Sequence, residues 1–220
     1  MITTKIPNDI SCSQIMNFVE QAIHYGARSI ELEVQSFGKS QLIVRTGNNV
    51  LTELKREEDP IYLEKLFVYI KEKNLNVELI LNLIEPFLEN RVKVLIDKWG
   101  LKKQVLYSGK TNPDYLTPWD RPYILYNIEN CLPNVYTLGD LKRAHFDVVH
   151  YFCNKYKVKT IHLHVKALVE DMICWASALD LQLSIFGVES FGEAQRLEEM
   201  GIDRVTVSDF MISDVLLVNE

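Results

Sequence analysis

The sequence predicts a (β/α)8 TIM barrel, and three observations carry that reading. Short β-rich runs alternate with longer amphipathic runs, the mark of βα units around a parallel sheet. About eight such strands fit into 220 residues, a length suited to one large α/β domain. An open doubly wound sheet is the runner-up, and it would be supported by a Gly-rich phosphate loop that this chain lacks. The expected domain is therefore a single barrel over residues 1–220.

The first strand is expected at Ile2 to Ile6. Ser11 is a suitable N-cap for a helix carrying Ile15, Phe18, Val19, Ala22 and Ile23 at helical spacing, closed by Gly26. Arg28 to Gln35 and Gln41 to Thr46 read as strands around a turn at Gly38. A charged loop, Lys55 to Asp59, leads to Pro60, which suits the first turn of a helix with Leu63, Leu66, Phe67 and Ile70. Leu75 to Leu83 is a strand. The next helix carries Phe87, Val92, Val94, Leu95 and Trp99 and ends at Gly100. Gln104 to Ser108 and Tyr123 to Tyr126 are shorter strands separated by a polar loop, Gly109 to Arg121. A helix from Thr137 to Asn154 follows, then Thr160 to Val165, a helix to Asp180, Leu181 to Phe186, a helix ending at Gly201, and Arg204 to Ser208.

Composition narrows the function. Thirty acidic against 24 basic residues give a net charge of −6, which argues against a binder of nucleic-acid backbone. The four cysteines, Cys12, Cys131, Cys153 and Cys174, have no metal or dithiol spacing and read as reduced, mostly buried thiols. The N-terminus has no signal-peptide pattern, and no apolar run is long enough to span a bilayer, so the cytoplasm is the expected compartment.

The chemistry concentrates in Ile30-Glu31-Leu32-Glu33-Val34. Residues two apart on a strand share a face, so both carboxylates project together, away from the apolar set. In a barrel that face is the lumen, and active residues gather at strand C-termini. Paired carboxylates there call for a cation, and Mg²⁺ or Ca²⁺ suits oxygen ligands. Glu78, inside the apolar run Val77 to Leu81, would complete a trio with Glu31 and Glu33. The competing reading is a solvated acidic face on an edge strand, with Glu78 paired to a nearby Lys or Arg.

These segments resemble the glycerophosphodiester phosphodiesterase family. Ala22 to Gln35 is similar to the family's helix, Gly-Ala turn and I-E-L-D-V strand, Leu75-Asn76-Val77-Glu78 to its L-N-I-E segment, and Leu181 to Asp209 to its closing strand and helix pattern. The resemblance implies a TIM barrel that hydrolyses glycerophosphodiesters with one divalent metal and two histidines. Glu31 and Glu78 match metal carboxylates, and Glu33 stands for an Asp. The histidine positions fall on Thr4 and Thr46, or on Arg45 for the second if one residue is deleted. A threonine hydroxyl cannot shuttle protons near neutral pH, and such catalysis typically contributes about 10²–10⁴-fold.

The expectation is thus a glycerophosphodiester phosphodiesterase-like protein with hydrolysis lost or weak and a retained pocket for a small phosphorylated ligand. Lys5 and Arg45 would hold the phosphate by charge, and Phe186 would provide an apolar wall. Two other readings stand beside it. One is an active hydrolase using His162 and His164, which share a strand face; the other is a structural or interaction protein whose acidic cluster pairs with Lys5 or Arg45. His24, His145 and His150 read as surface or packing residues.

Overall fold

In the computed structural model, residues 1–7, 14–45, 60–133, 135 and 141–208 are described. Ser11, Cys12, Thr46, Lys55 to Asp59 and Thr137, all singled out above, lie outside them.

The chain begins with β1 (Ile2–Lys5) and α1 (Ile15–His24), whose Ile15, Phe18, Val19 and Ala22 form one buried stripe. β2 (Ser29–Phe37) turns at Gly38 into β3 (Gln41–Arg45). α2 (Leu63–Glu72), β4 (Glu78–Leu83), α3 (Glu89–Trp99) and β5 (Val105–Gly109) follow. The second half holds β6 (Leu125–Asn127), α4 (Arg143–Tyr156), β7 (Thr160–His164), α5 (Glu170–Ala178), β8 (Gln182–Val188), α6 (Phe191–Glu199) and β9 (Arg204–Val207).

Eight strands run parallel in the order β5-β4-β2-β1-β9-β8-β7-β6, and a bridge between Tyr107 and Ile124 brings the two ends together. The barrel is nearly closed. β3 is the exception: it pairs antiparallel to β2 as a hairpin outside the parallel set. Ile30, Leu32 and Val34 pack against Ile15, Phe18, Leu63 and Leu66 of the helices, and a second apolar cluster joins β7–β9 to α4–α6.

Several boundaries differ from the sequence reading. Pro60 precedes a bridge between Tyr62 and Ile43, with Val44 N–H donating to Ile61 C=O at 2.9 Å, so α2 starts only at Leu63. Phe87 does not belong to α3: it sits before it, 64% exposed, at φ +69°. Gly100 does close α3, in the left-handed conformation at φ +63° that glycine adopts most easily. Of the described cysteines, Cys153 is buried, Cys131 half-buried and Cys174 exposed, and all are free. Burial pushes the Cys131 and Cys153 thiols up to about 11 and about 12.

Among the described residues no helix is long and apolar enough to cross a membrane.

Candidate functional site

The strand register decides what faces the lumen. Ser29, Glu31 and Glu33 lie on the face of β2 opposite the helix-packed Ile30, Leu32 and Val34. On β1, Thr3 stands level with Ser29 and Lys5 with Glu31, so those two share the lumen face. Thr4 stands level with Ile30 and Val207 and shares their helix-facing side. On β4 the same rule places Glu78, Ile80 and Asn82 inside, and on β9 it places Arg204 and Thr206.

The C-terminal end of the lumen holds a charge cluster. Lys5 Nζ donates to Glu33 Oε1 at 2.7 Å, and Arg45 Nη1 lies 3.7 Å from Glu33 Oε2. Glu31 is 3% exposed and its Oε2 has no hydrogen-bond partner. Burial raises its pKa; the Lys5 charge opposes this most, Glu33 adds to the rise, and the side chains of Asn82 and Thr206 also lower it. Asn82 and Thr206 were missed in the sequence. Period-two alternation from Ile80 was the available signal for Asn82, but the neighbouring strand that brings it to Glu31 is known only from the register.

Glu78 corrects the sequence reading. It is level with Ser29, at the first position of β4 and hence at the N-terminal end of the barrel, where it forms an ion pair with Arg204. The strand starts late because the Gln104 side chain donates to the carbonyls of Leu75 (3.0 Å) and Val77 (3.3 Å), tying down those residues ahead of it. A cavity of about 360 Å³ opens at that end, lined among others by Met1, Glu78, Lys103 and Arg204. Glu78 and Arg204 there are spent on each other, and function in such barrels collects at the opposite face.

The trio therefore does not fit a shared divalent ion. Glu78 is at the wrong end, Glu33 is held by two cations, and among the described residues no group of three or more His, Cys, Asp or Glu side chains could hold a metal.

His162 and His164 do share the lumen face of β7, level with Ser184 and Phe186 of β8. His162 is buried, its Nδ1 2.9 Å from Ser184 Oγ and its ring stacked on Phe186 with centroids 4.7 Å apart. Burial, aided by the Arg204 charge, pushes its pKa down to about 3, so it stays neutral. His164 meets the edge of Phe186 at 5.2 Å, and its Nδ1 accepts from Lys166 N–H at 3.1 Å. Burial and the Lys166 charge lower its pKa too. Phe186 is thus sandwiched by imidazoles. His145 caps α4 by accepting from Lys142 N–H at 3.0 Å, and His150 lies 2.8 Å from Asn154 on the same helix.

No family model and no curated protein sequence matches the chain. Solved structures do. A protein from Galdieria sulphuraria assigned as a glycerophosphodiester phosphodiesterase superposes with a TM-score of 0.72 at 15% identity, over 99% of this chain and 96% of that one. The Parabacteroides distasonis glycerophosphodiester phosphodiesterase gives 0.69 at 15% identity, over 99% and 97%. A phosphodiesterase from Oleispira antarctica, in complex with the product sn-glycerol 3-phosphate, gives 0.66 at 14% identity, over 100% and 97%.

The fold is that of the glycerophosphodiester phosphodiesterases. At these identities the likeness carries the architecture of the glycerophosphodiester phosphodiesterase barrel; the chemistry has to be read from the residues inside it. In this version of that barrel, the C-terminal mouth holds two carboxylates neutralised by two tethered cations. Its one buried strand histidine is neutral and committed to Ser184.

Proposed function

We propose that this is a glycerophosphodiester phosphodiesterase-like barrel that binds a small phosphorylated ligand at its C-terminal mouth and has lost, or nearly lost, phosphodiester hydrolysis. The observation that carries the reading is the Lys5–Glu33 contact of 2.7 Å, which places an ammonium on the lumen face of β1 beside Glu31.

Lys5 is engaged as the donor to Glu33, and Thr4 faces away from the site, so neither takes the place of a catalytic imidazole. His162 is sealed among Ser184 and Phe186, and His164 is tied through Nδ1 to the backbone ahead of α5. What the mouth retains is a pair of cationic donors beside the carboxylates they neutralise. Lys5 and Arg45 offer point-charge and fork-like donors to a phosphate, while the unpartnered Glu31 Oε2 can accept from a ligand hydroxyl. A polyol phosphate monoester, such as the product bound by the Oleispira antarctica neighbour, meets both demands.

Turnover of glycerophosphocholine, followed by ³¹P NMR with Mg²⁺, Ca²⁺ or Mn²⁺ and with Glu31→Gln as control, tests the loss of hydrolysis. The reading expects no turnover that the control abolishes. Multiple turnover by the wild-type chain, lost in Glu31→Gln, would establish an active hydrolase instead.

A further inference from the structure

Two carboxylates on one face of a barrel strand, one of them buried with an oxygen that meets no donor, need a positive charge beside them. A hard divalent ion commonly takes one or two carboxylates and completes its shell with water. Here the cation is covalently attached. Lys5 Nζ lies 2.7 Å from Glu33 Oε1, and its charge is what chiefly offsets the burial of Glu31. Arg45 flanks the other Glu33 oxygen at 3.7 Å. The two positive and two negative groups cancel, which leaves the pair without the net negative charge that draws a divalent ion.

We propose that Lys5 is a built-in cation that fills the Glu31–Glu33 site and excludes divalent metal from the mouth, so that the site works without metal and becomes a metal site when the ammonium is removed. The geometry explains the choice of residue. Lys5 stands level with Glu31 in the parallel register and its ammonium reaches Glu33 one layer higher, so it bonds one carboxylate while its charge is felt by the other. Its ammonium and a divalent ion would occupy the same place, and like charges that close repel. This inference deepens the phosphate-binding reading and rests on it only for what the retained ammonium is used to hold.

The experiment is a calorimetric titration of Mg²⁺, Ca²⁺ and Mn²⁺ into the full chain, wild type against Lys5→Met, with the fold of each checked by circular dichroism. Lys5→Met keeps most of the side-chain volume and removes only the charge. The expected result is at least tenfold tighter divalent binding by Lys5→Met than by wild type, cancelled when Glu31→Gln is added. Divalent binding by the wild type itself, abolished by Glu31→Gln, would overturn the proposal, and that arm needs no Lys5 variant to fold. Lys5→Arg, which keeps the charge, is expected to exclude metal as the wild type does; metal binding by it would count against a role for charge. Inorganic phosphate titrated into the wild type in EDTA separates the two readings. Exclusion of metal with no phosphate binding supports the role of Lys5 and removes the ligand proposed for it. Phosphate binding that appears only when divalent ions are restored overturns the built-in cation.

Discussion

Glu78 and Arg204 form an ion pair across the lumen at the N-terminal end of the barrel, and Arg204 Nη1 also donates to Ser29 Oγ at 3.1 Å. The pair makes Glu78 a structural acid. Arg204 is nine-tenths buried, and removing its partner would leave a charge that water reaches poorly. Since Glu78 itself is partly solvated, Glu78→Ala is expected to cost about 1–3 kcal/mol, below the cost of breaking a fully buried pair. Urea denaturation measures it. Phosphate binding at the far end should be unchanged; a loss of binding without a loss of stability would return Glu78 to the site.

Gly109 ends β5 at φ +74°, and a Cβ there would stand 2.2 Å from Asn82 Oδ1 and 2.6 Å from the Leu83 carbonyl. Backbone cannot swing aside as a side chain can. Gly109→Ala is expected to lose about 2 kcal/mol or more and to displace Asn82 from Glu31. Denaturation together with phosphate titration reads both effects. A variant as stable as the wild type would mean that the β4–β5 approach is looser than the structure has it.

The pH dependence of stability carries the signature of His162. Its folded pKa lies near 3, below the value of about 6.5 in an unfolded chain, so the unfolded state takes up the proton first. The stability from keeping this ring neutral is complete above about pH 6.5 and is lost as pH falls toward 3, by about 1.4 kcal/mol per unit. His162→Gln should flatten the wild-type curve across that window, as followed by denaturation at stepped pH. Parallel curves for the two proteins would place His162 in water.

Glu31 acts in the opposite sense. Burial raises its pKa, so above about pH 4.5 the unfolded chain releases the proton more readily and stability falls as pH rises through the folded pKa. Glu31→Gln is therefore expected to raise the melting temperature at pH 7 to 8, with the gain shrinking toward pH 4. A residue that costs stability in its charged form is one retained for what it binds. A lower melting temperature for Glu31→Gln at neutral pH would show that Lys5 fully compensates the buried charge.

Much of the barrel was legible in the alternation of the chain. Ile30, Leu32 and Val34 against Ser29, Glu31 and Glu33 gave the two faces of β2 correctly, because a strand buried on both sides still sorts its polar residues to one of them. What pattern could not give was height along the barrel. Leu75 to Leu83 reads as one strand, but the Gln104 side chain ties down its first carbonyls, which moves Glu78 from mid-strand to the bottom rim. Nor could pattern say whether Thr4 or Lys5 turns inward, since that depends on the pairing of β1 with Glu31. Phe87 continued the helical spacing of α3 and yet stands outside it, at a positive φ that periodicity does not register.

The most direct measurement is a calorimetric titration of sn-glycerol 3-phosphate into the wild-type chain in EDTA, repeated with Lys5→Met and Arg45→Ala. The account predicts saturable binding by the wild type without metal, weakened about tenfold or more in each variant. Saturable binding of the same affinity in all three proteins, or none until a divalent ion is added, would contradict it.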